Sequence, residues 1–434
     1  MTPVQIGLIG IVLVFVLIAS RMPVAYVMLV IGVAGIAQLT SIEATLSISA
    51  STIYDTFASY SLIVVPLFVW MGFIAFHAGI SARIYDAVYK VMGSMPAGLA
   101  LATIGASCAF GAICGSTTAT SATMSAIAVP EMRRYHYKDS LATSVVAASA
   151  ILGIMIPPSV ILILYGIATG ESIKHLFMAG IGPGILLTGL FMLVTFLLAL
   201  RNPKLAPSGA PVEYKEKVRA LVTGGIEVVI IFAAVMGGLF LGFFTPTEAG
   251  AVGSGATLLV ALVRRQLNWK RFVDSLNAAV RISVMIMFLV MAARIFGRFL
   301  ALTGVPSMLA NFAVQLPISP LGVMGVILLI YLLLGLFIDA LALILLTVPI
   351  FYPVAVQLGF DPIWFGVIIV LVVGMGVITP PVGANIYVVA GMVRDVPVVT
   401  IFRGVWPYLA AVILCVAIVT AFPQISLFLP DLVR

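Results

Sequence analysis

The sequence predicts an all-α polytopic membrane protein: an inverted repeat of five spans per half, with two re-entrant hairpins and two helices broken by Pro-Pro pairs. Three observations predict it. The 434 residues are 63% hydrophobic and only 9% charged, where a soluble domain carries roughly 25% charged residues. Apolar runs of membrane-crossing length recur along the chain, and a pattern of proline breaks occurs once in each half. The three cysteines, Cys108, Cys114 and Cys415, lie inside apolar segments without a CxxC pair, so they read as small packing residues rather than disulfide or zinc ligands. The formal charge of +7 comes from residues in short loops between apolar runs. That distribution excludes a nucleic-acid face and fits the positive-inside bias of a protein in a lipid bilayer.

A bilayer core of roughly 30 Å needs about 20 apolar residues per helix. Ten runs meet this, at about 3–20, 22–40, 60–78, 141–168, 176–200, 220–243, 247–263, 274–293, 363–391 and 404–425. The first is no cleavable signal, because Arg21 follows the apolar run and no basic residue precedes it. Two further apolar segments, 97–130 and 321–354, are too long for one span and are interrupted near their middles. If both enter and leave on one face, seventeen Lys and Arg fall on one side. The other side then holds four: Lys174, Arg294, Arg298 and Arg434. That asymmetry places the rich side in the cytoplasm and both termini in the periplasm. Reading 97–130 as one crossing inverts every later loop and destroys the asymmetry, so both segments are expected to be re-entrant hairpins.

The halves match. Pro130 is followed 27 residues later by Pro157 and Pro158, and Pro349 is followed 31 residues later by Pro380 and Pro381. The first repeat covers residues 1–200, with hairpin 97–130 and broken helix 141–168. A cytoplasmic linker follows at 201–219. The second repeat covers 220–425, with hairpin 321–354 and broken helix 363–391, before a periplasmic tail at 426–434. Short amphipathic arms carry Arg83 and Lys90 in one half and Arg294 and Arg298 in the other. An odd number of spans per half makes the repeats antiparallel, which suits alternating access in a transporter.

The chemistry concentrates at the hairpins and breaks. Of the 22 residues from Gly105 to Ala126, 19 are Gly, Ala, Ser, Thr or Cys, a stretch that either packs helices tightly or lines a cavity at depth. The hydroxyls and freed carbonyls of Gly115 to Ser121 suit a hard cation such as sodium. Carbonyls released at Gly153 to Ile156 by the prolines can face the same ion. The half-helix starting near Ser159 presents a positive dipole end to an anion, although an ordinary proline kink has the same sequence. In the second hairpin, Asp339 is the only charged residue between Leu316 and Phe360. At the bilayer centre it costs at least about 2.5 kcal/mol and needs a cation, a backbone N–H cap or a proton. Thr379 and Asn385 lie near the second break. Glu248, three residues after Thr245, reads as a capping acid. No Ser/His/Asp or Cys/His set and no P-loop is present, so the chain is not expected to be an enzyme or an ATP-driven pump.

Over essentially its whole length the chain resembles the large membrane (permease) subunit of TRAP transporters, the DctM-like family of the ion-transporter superfamily. The resemblance is carried by Gly111 to Ser116 (GAICGS), Ile156 to Ser159 (IPPS), Thr245 to Ala249 (TPTEA), Leu334 to Asp339 (LGLFID) and Thr379 to Gly383 (TPPVG). It implies an elevator mechanism, sodium (Na+) as coupling ion, a small four-helix membrane subunit and a periplasmic substrate-binding protein. It also implies import of a small organic acid (a dicarboxylate, keto acid, sialic acid or sulfonate) across the bacterial inner membrane. One sodium site maps onto Gly115, Ser116, Thr117, Thr118, Gly153, Met155 and Pro157. The other maps onto Gly335, Asp339, Gly374, Gly376 and Thr379. Substrate is expected between the tips, near Ser116, Thr120, Ser159, Asp339 and Asn385. The first tip departs from the family in lacking an acid. Two alternatives are a stand-alone ion-coupled anion exchanger, which needs no binding protein, and a channel or structural subunit, which leaves both Pro-Pro breaks unexplained.

Overall fold

The structure is a computed structural model and describes residues 1–207 and 213–433. Positions 208–212 of the expected linker and Arg434 of the expected tail lie outside the described residues. Among the described residues every regular element is helical.

The chain opens with α1 (Pro3–Ala19), whose first turn is closed by a capping box of Thr2 and Gln5, and continues into α2 (Val24–Leu39). An unexpected helix follows, α3 (Ile42–Phe57). Ser41 starts it by accepting the Ala44 N–H at 3.1 Å. Its buried face is made of Thr45, Thr52 and Thr56 rather than aliphatic residues. After a short 3-10 turn come α4 (Val64–His77) and the amphipathic arm α5 (Ile80–Met92). The segment expected as the first hairpin folds as two helices joined by a tight turn, α6 (Gly98–Cys114) and α7 (Thr117–Arg134). The broken helix is α8 (Asp139–Ser149), α9 (Leu152–Met155) and α10 (Val160–Thr169), followed by α11 (Ile173–Arg201).

Past the linker, α12 (Tyr214–Ala220), α13 (Ile226–Phe232) and α14 (Gly238–Phe240) are separated by two π-helical stretches. Next come α15 (Pro246–Val263) and α16 (Trp269–Thr303). Glu248 does cap α15, its carboxylate accepting the Thr245 N–H at 2.8 Å. The expected arm carrying Arg294 and Arg298 is not separate. Both arginines lie on α16, which runs 35 residues without a break until Gly304, and the short helix after it is α17 (Val305–Gln315). A second helix–turn–helix follows as α18 (Pro320–Gly335) and α19 (Ala340–Gln357). A second broken helix is α20 (Pro362–Gly376) and α21 (Ala384–Met392), before α22 (Val398–Ala421) and α23 (Gln424–Asp431). Among the described residues seven segments are long and apolar enough to cross a membrane. One of them is Ala340–Gln357, expected as a hairpin leg. Several expected spans, among them Pro3–Ala19 and Val24–Leu39, are shorter apolar helices.

The broken helices form the centre. Every residue of α20 from Ile363 to Gly376 is buried. They cross where Gly366 has no side chain: a Cβ there would fall 2.5 Å from the Tyr165 ring. The Tyr165 hydroxyl donates to the Pro362 carbonyl at 2.7 Å. Outside this centre, α16 packs against α2 and α4, and α15 packs against α4. Lipid removes the hydrophobic drive between helices, so close backbone approach has to supply the packing. Gly35 illustrates it, since a Cβ there would sit 2.3 Å from the Phe299 ring of α16. The outward faces stay apolar, as at Leu8, Val12 and Val16 of α1 and Val284 and Met285 of α16, a surface suited to lipid.

Candidate functional site

The first tip is built by one glycine and one serine. Gly115 ends α6 with φ +64°, a left-handed conformation that costs glycine little. Ser116 then caps α7, and its carbonyl accepts the Thr120 N–H at 3.1 Å and the Thr120 hydroxyl at 2.8 Å. The first break lies directly behind this tip. A methyl group on Gly153 would meet the Thr120 hydroxyl at 2.9 Å and the Ser116 carbonyl at 3.0 Å, and one on Gly115 would meet the Pro158 carbonyl at 2.8 Å. Gly115, Ser116, Thr120 and Gly153 therefore share one junction. Met155 does not join it, because its carbonyl is aimed at Gly180 of α11, where a Cβ would be 2.7 Å away. Ser159 caps α10 and donates its hydroxyl to the Ile154 carbonyl at 2.6 Å. The Pro157–Pro158 and Pro380–Pro381 peptides are both cis.

The second tip repeats the contact with different chemistry. Gly335 ends α18, and a methyl on Gly376 would lie 2.9 Å from the Gly335 carbonyl carbon. Asp339 caps α19, its carboxylate accepting the Leu341 N–H at 3.0 Å, and it remains exposed at the tip. Gly374 faces elsewhere: a Cβ there would strike Ile151 at 2.6 Å, so it serves the crossing of the two broken helices. The Thr379 hydroxyl donates to the Met375 carbonyl at 2.7 Å. Asn385 is fully buried and bridges the halves, its amide N–H donating to the Ala147 carbonyl at 3.2 Å.

Both tips open onto one cavity of about 380 Å³. Its floor is Gly115 to Ala119 from the first tip and Asp339 to Leu341 from the second, and its walls include Phe73 and Phe76 of α4 and Ile282 and Ile286 of α16. Thr120, Ser159 and Asn385 are not among the lining residues. The wall residues carry no signal in the sequence, where apolar side chains on a span have no mark separating cavity from lipid. Two features define what the cavity can hold. The first turns of α7 and α19 both line it and bring the positive ends of two helix dipoles to it, that of α19 already capped by the Asp339 carboxylate on the Leu341 N–H. Among the lining residues Asp339 is the one carboxylate, and none is Lys, Arg or His. An organic anion next to Asp339 therefore gains from the helix ends but is repelled by the carboxylate until a cation neutralises it.

Two ion-pair clusters outside the cavity hold the fold together. Glu227 of α13 is buried between Arg83 of α5 at 2.7 Å and Arg264 at 2.8 Å, which ties the arm to the other half of the chain. Arg133, near the end of α7, bonds Asp139 and Asp395, both at 2.7 Å. That guanidinium holds the Asp395 carboxyl below the usual aspartate range.

Residues 11–425 match the family model described as "Tripartite ATP-independent periplasmic transporter, DctM component". The chain is 34% identical over 422 residues to the sialic acid TRAP transporter large permease protein SiaM of Vibrio cholerae, covering 96% of each chain. It is 34% identical over 385 residues to the C4-dicarboxylate TRAP transporter large permease protein DctM of Pseudomonas aeruginosa, covering 88% of this chain and 89% of that one. Among solved structures it shares its fold with the YdaH transporter of Alcanivorax borkumensis. That likeness has a TM-score of 0.61 at 15% identity, over 88% of this chain and 90% of that one.

Proposed function

The chain belongs to the DctM family of tripartite ATP-independent periplasmic transporters, and we propose that it is the conducting subunit of a sodium-coupled importer of a small organic acid. The observation that carries this reading is the single cavity shared by both tips, where two helix N-termini and one carboxylate converge without a fixed cation among the lining residues. Such a cavity favours an anion only when a cation is bound with it, which is the physical content of symport. Sodium is the cation proposed. It sits at the two tip–break junctions, one around the Ser116 carbonyl and Gly153, the other around Gly335, Asp339 and Gly376.

Movement follows an elevator. The helix–turn–helix pairs and broken helices form the moving unit, and α2, α4, α15 and α16 form the fixed frame. Support comes from the element order, in which a short arm, a helix pair, a broken helix and a long closing helix occur twice. In this reading the two halves are inverted, the pairs are re-entrant from opposite faces, and both termini are periplasmic. A small membrane subunit and a periplasmic binding protein complete the assembly in the bacterial inner membrane. The substrates named for the relatives, sialic acid and C4-dicarboxylates, are the first to try.

The test is uptake into proteoliposomes holding the chain, its small subunit and its binding protein. An inward sodium gradient is expected to accumulate succinate or sialic acid above equilibrium, with collapse on adding a sodium ionophore. Equal accumulation with choline in place of sodium overturns the coupling.

A further inference from the structure

We infer that Arg294 and Arg298 form a second binding site for the carboxylate of a small organic acid, at the far end of the seam between α16 and α19. A cavity of about 520 Å³ lies there, lined by both arginines together with Asp55, Tyr352 and Pro349. The arginines are four residues apart and so lie on one helix face. Neither joins an ion pair among the described residues. Arg294 makes one long contact, to the Thr56 hydroxyl at 3.5 Å, and the phenol of Tyr352 is committed to Glu171 at 2.6 Å. Two guanidinium groups against one aspartate leave a net positive lining, and guanidinium forks match carboxylates two bonds at a time. The sequence adds weight, because these are two of only four Lys and Arg on the side expected to be poor in them. Positive charge is disfavoured on that side without a reason to hold it.

The two cavities share their walls in order. On α16, Ile282 and Ile286 line the tip cavity and Arg294 and Arg298 line the second one. Ile282 to Arg294 is about 18 Å at 1.5 Å per residue. On α19, Leu341 lines the first and Tyr352 the second, about 16 Å apart by the same rise. The acid thus has two stations along one seam: an arginine station, and the tip station where a carboxylate has to be neutralised first. The identity of the ligand rests on the transport reading above, but the site itself needs no sodium and no movement.

Gly297 lies between the arginines and gives a probe, since a Cβ there meets Pro349 only at 3.8 Å, an ordinary contact. The Gly297→Cys chain, with its small subunit in neutral phosphatidylcholine nanodiscs, is modified by sulfonatoethyl or trimethylammonioethyl methanethiosulfonate. Rates are corrected for the parent chain. The anionic reagent is expected to react at least tenfold faster than the cationic one. Succinate, pyruvate or isethionate at constant ionic strength should slow it saturably, where chloride does not. Arg294→Gln with Arg298→Gln should abolish both effects, and the Lys pair should restore the reagent preference. If the double variant folds poorly, Arg298→Gln alone is read, with at least a threefold loss of protection expected. No reagent preference, or no protection beyond chloride, overturns the site. Protection only by added phosphatidylglycerol assigns the arginines to lipid and overturns it as well. Because labelling is read without sodium, a failure of symport leaves this result standing.

Discussion

Replacing Gly376 with Ala perturbs the second tip–break junction at one atom. The added methyl would lie 2.9 Å from the Gly335 carbonyl carbon and 3.0 Å from its Cα and oxygen. Those atoms are backbone, so the methyl cannot be accommodated by rotating a side chain. It intrudes by about 0.5 Å relative to ordinary contact, and overpacking of that kind costs about 1–3 kcal/mol. If sodium binding holds Gly335 and Gly376 at this separation while the unbound junction is free to open, the strain falls on the bound state. At 1.4 kcal/mol per decade the affinity drops about 5- to 150-fold. The assay is the rise in melting temperature of the purified complex as sodium chloride replaces choline chloride. Gly391→Ala is the control, because it lies in the same broken helix with nothing within 4 Å of its Cβ. The control should keep the parent midpoint, and Gly376→Ala should shift it to higher sodium. Identical midpoints for both variants refute the placement of sodium at this junction.

Three further outcomes follow from named contacts. Asp339→Asn keeps the cap on α19 but removes the charge, so sodium stimulation of uptake should fall at least tenfold while binding-protein docking, read by surface plasmon resonance, changes less than twofold. Unchanged stimulation removes Asp339 from the coupling. Glu227→Ala leaves Arg83 and Arg264 facing each other without their shared carboxylate. Breaking a buried pair costs about 3–5 kcal/mol, and the part-exposed arginines reduce that to about 1–3 kcal/mol, measurable as a lower melting temperature. Asp395 has a depressed folded-state pKa set by its Arg133 hydrogen bond. Its contribution is complete above the ordinary aspartate value of 3.8 and is lost as pH falls toward the lower folded value. The stability gap between the parent and Asp395→Asn should be flat from pH 7 to 5 and close below 3.8. A gap that widens on acidification contradicts the pairing.

Much of the centre could be read from the sequence because prolines and glycines act locally. The pairs Pro157–Pro158 and Pro380–Pro381 stop helices wherever they stand, and Gly115 and Asp339 mark the two turns. What escaped reading depends on rotation about a helix axis or on long-range contact. Asn385 sits just past a break, yet its amide turns to Ala147 rather than to the cavity. Thr379, three residues past the end of α20, returns its hydroxyl to the Met375 carbonyl four residues earlier. Helix α3 has no apolar period to read, because its buried face is Thr45, Thr52 and Thr56. The join of span and arm in α16 is hidden because Arg294, Gly297 and Arg298 look like a loop, while the helix runs through Gly297 and ends only at Gly304, where φ turns positive.

The most direct measurement is equilibrium binding of radioactive sodium to the purified chain with its small subunit. The two-junction account predicts saturable binding, weakened by Gly153→Ala and by Gly376→Ala separately and by Asp339→Asn at the second junction. A parent protein that binds no sodium above the choline background contradicts it.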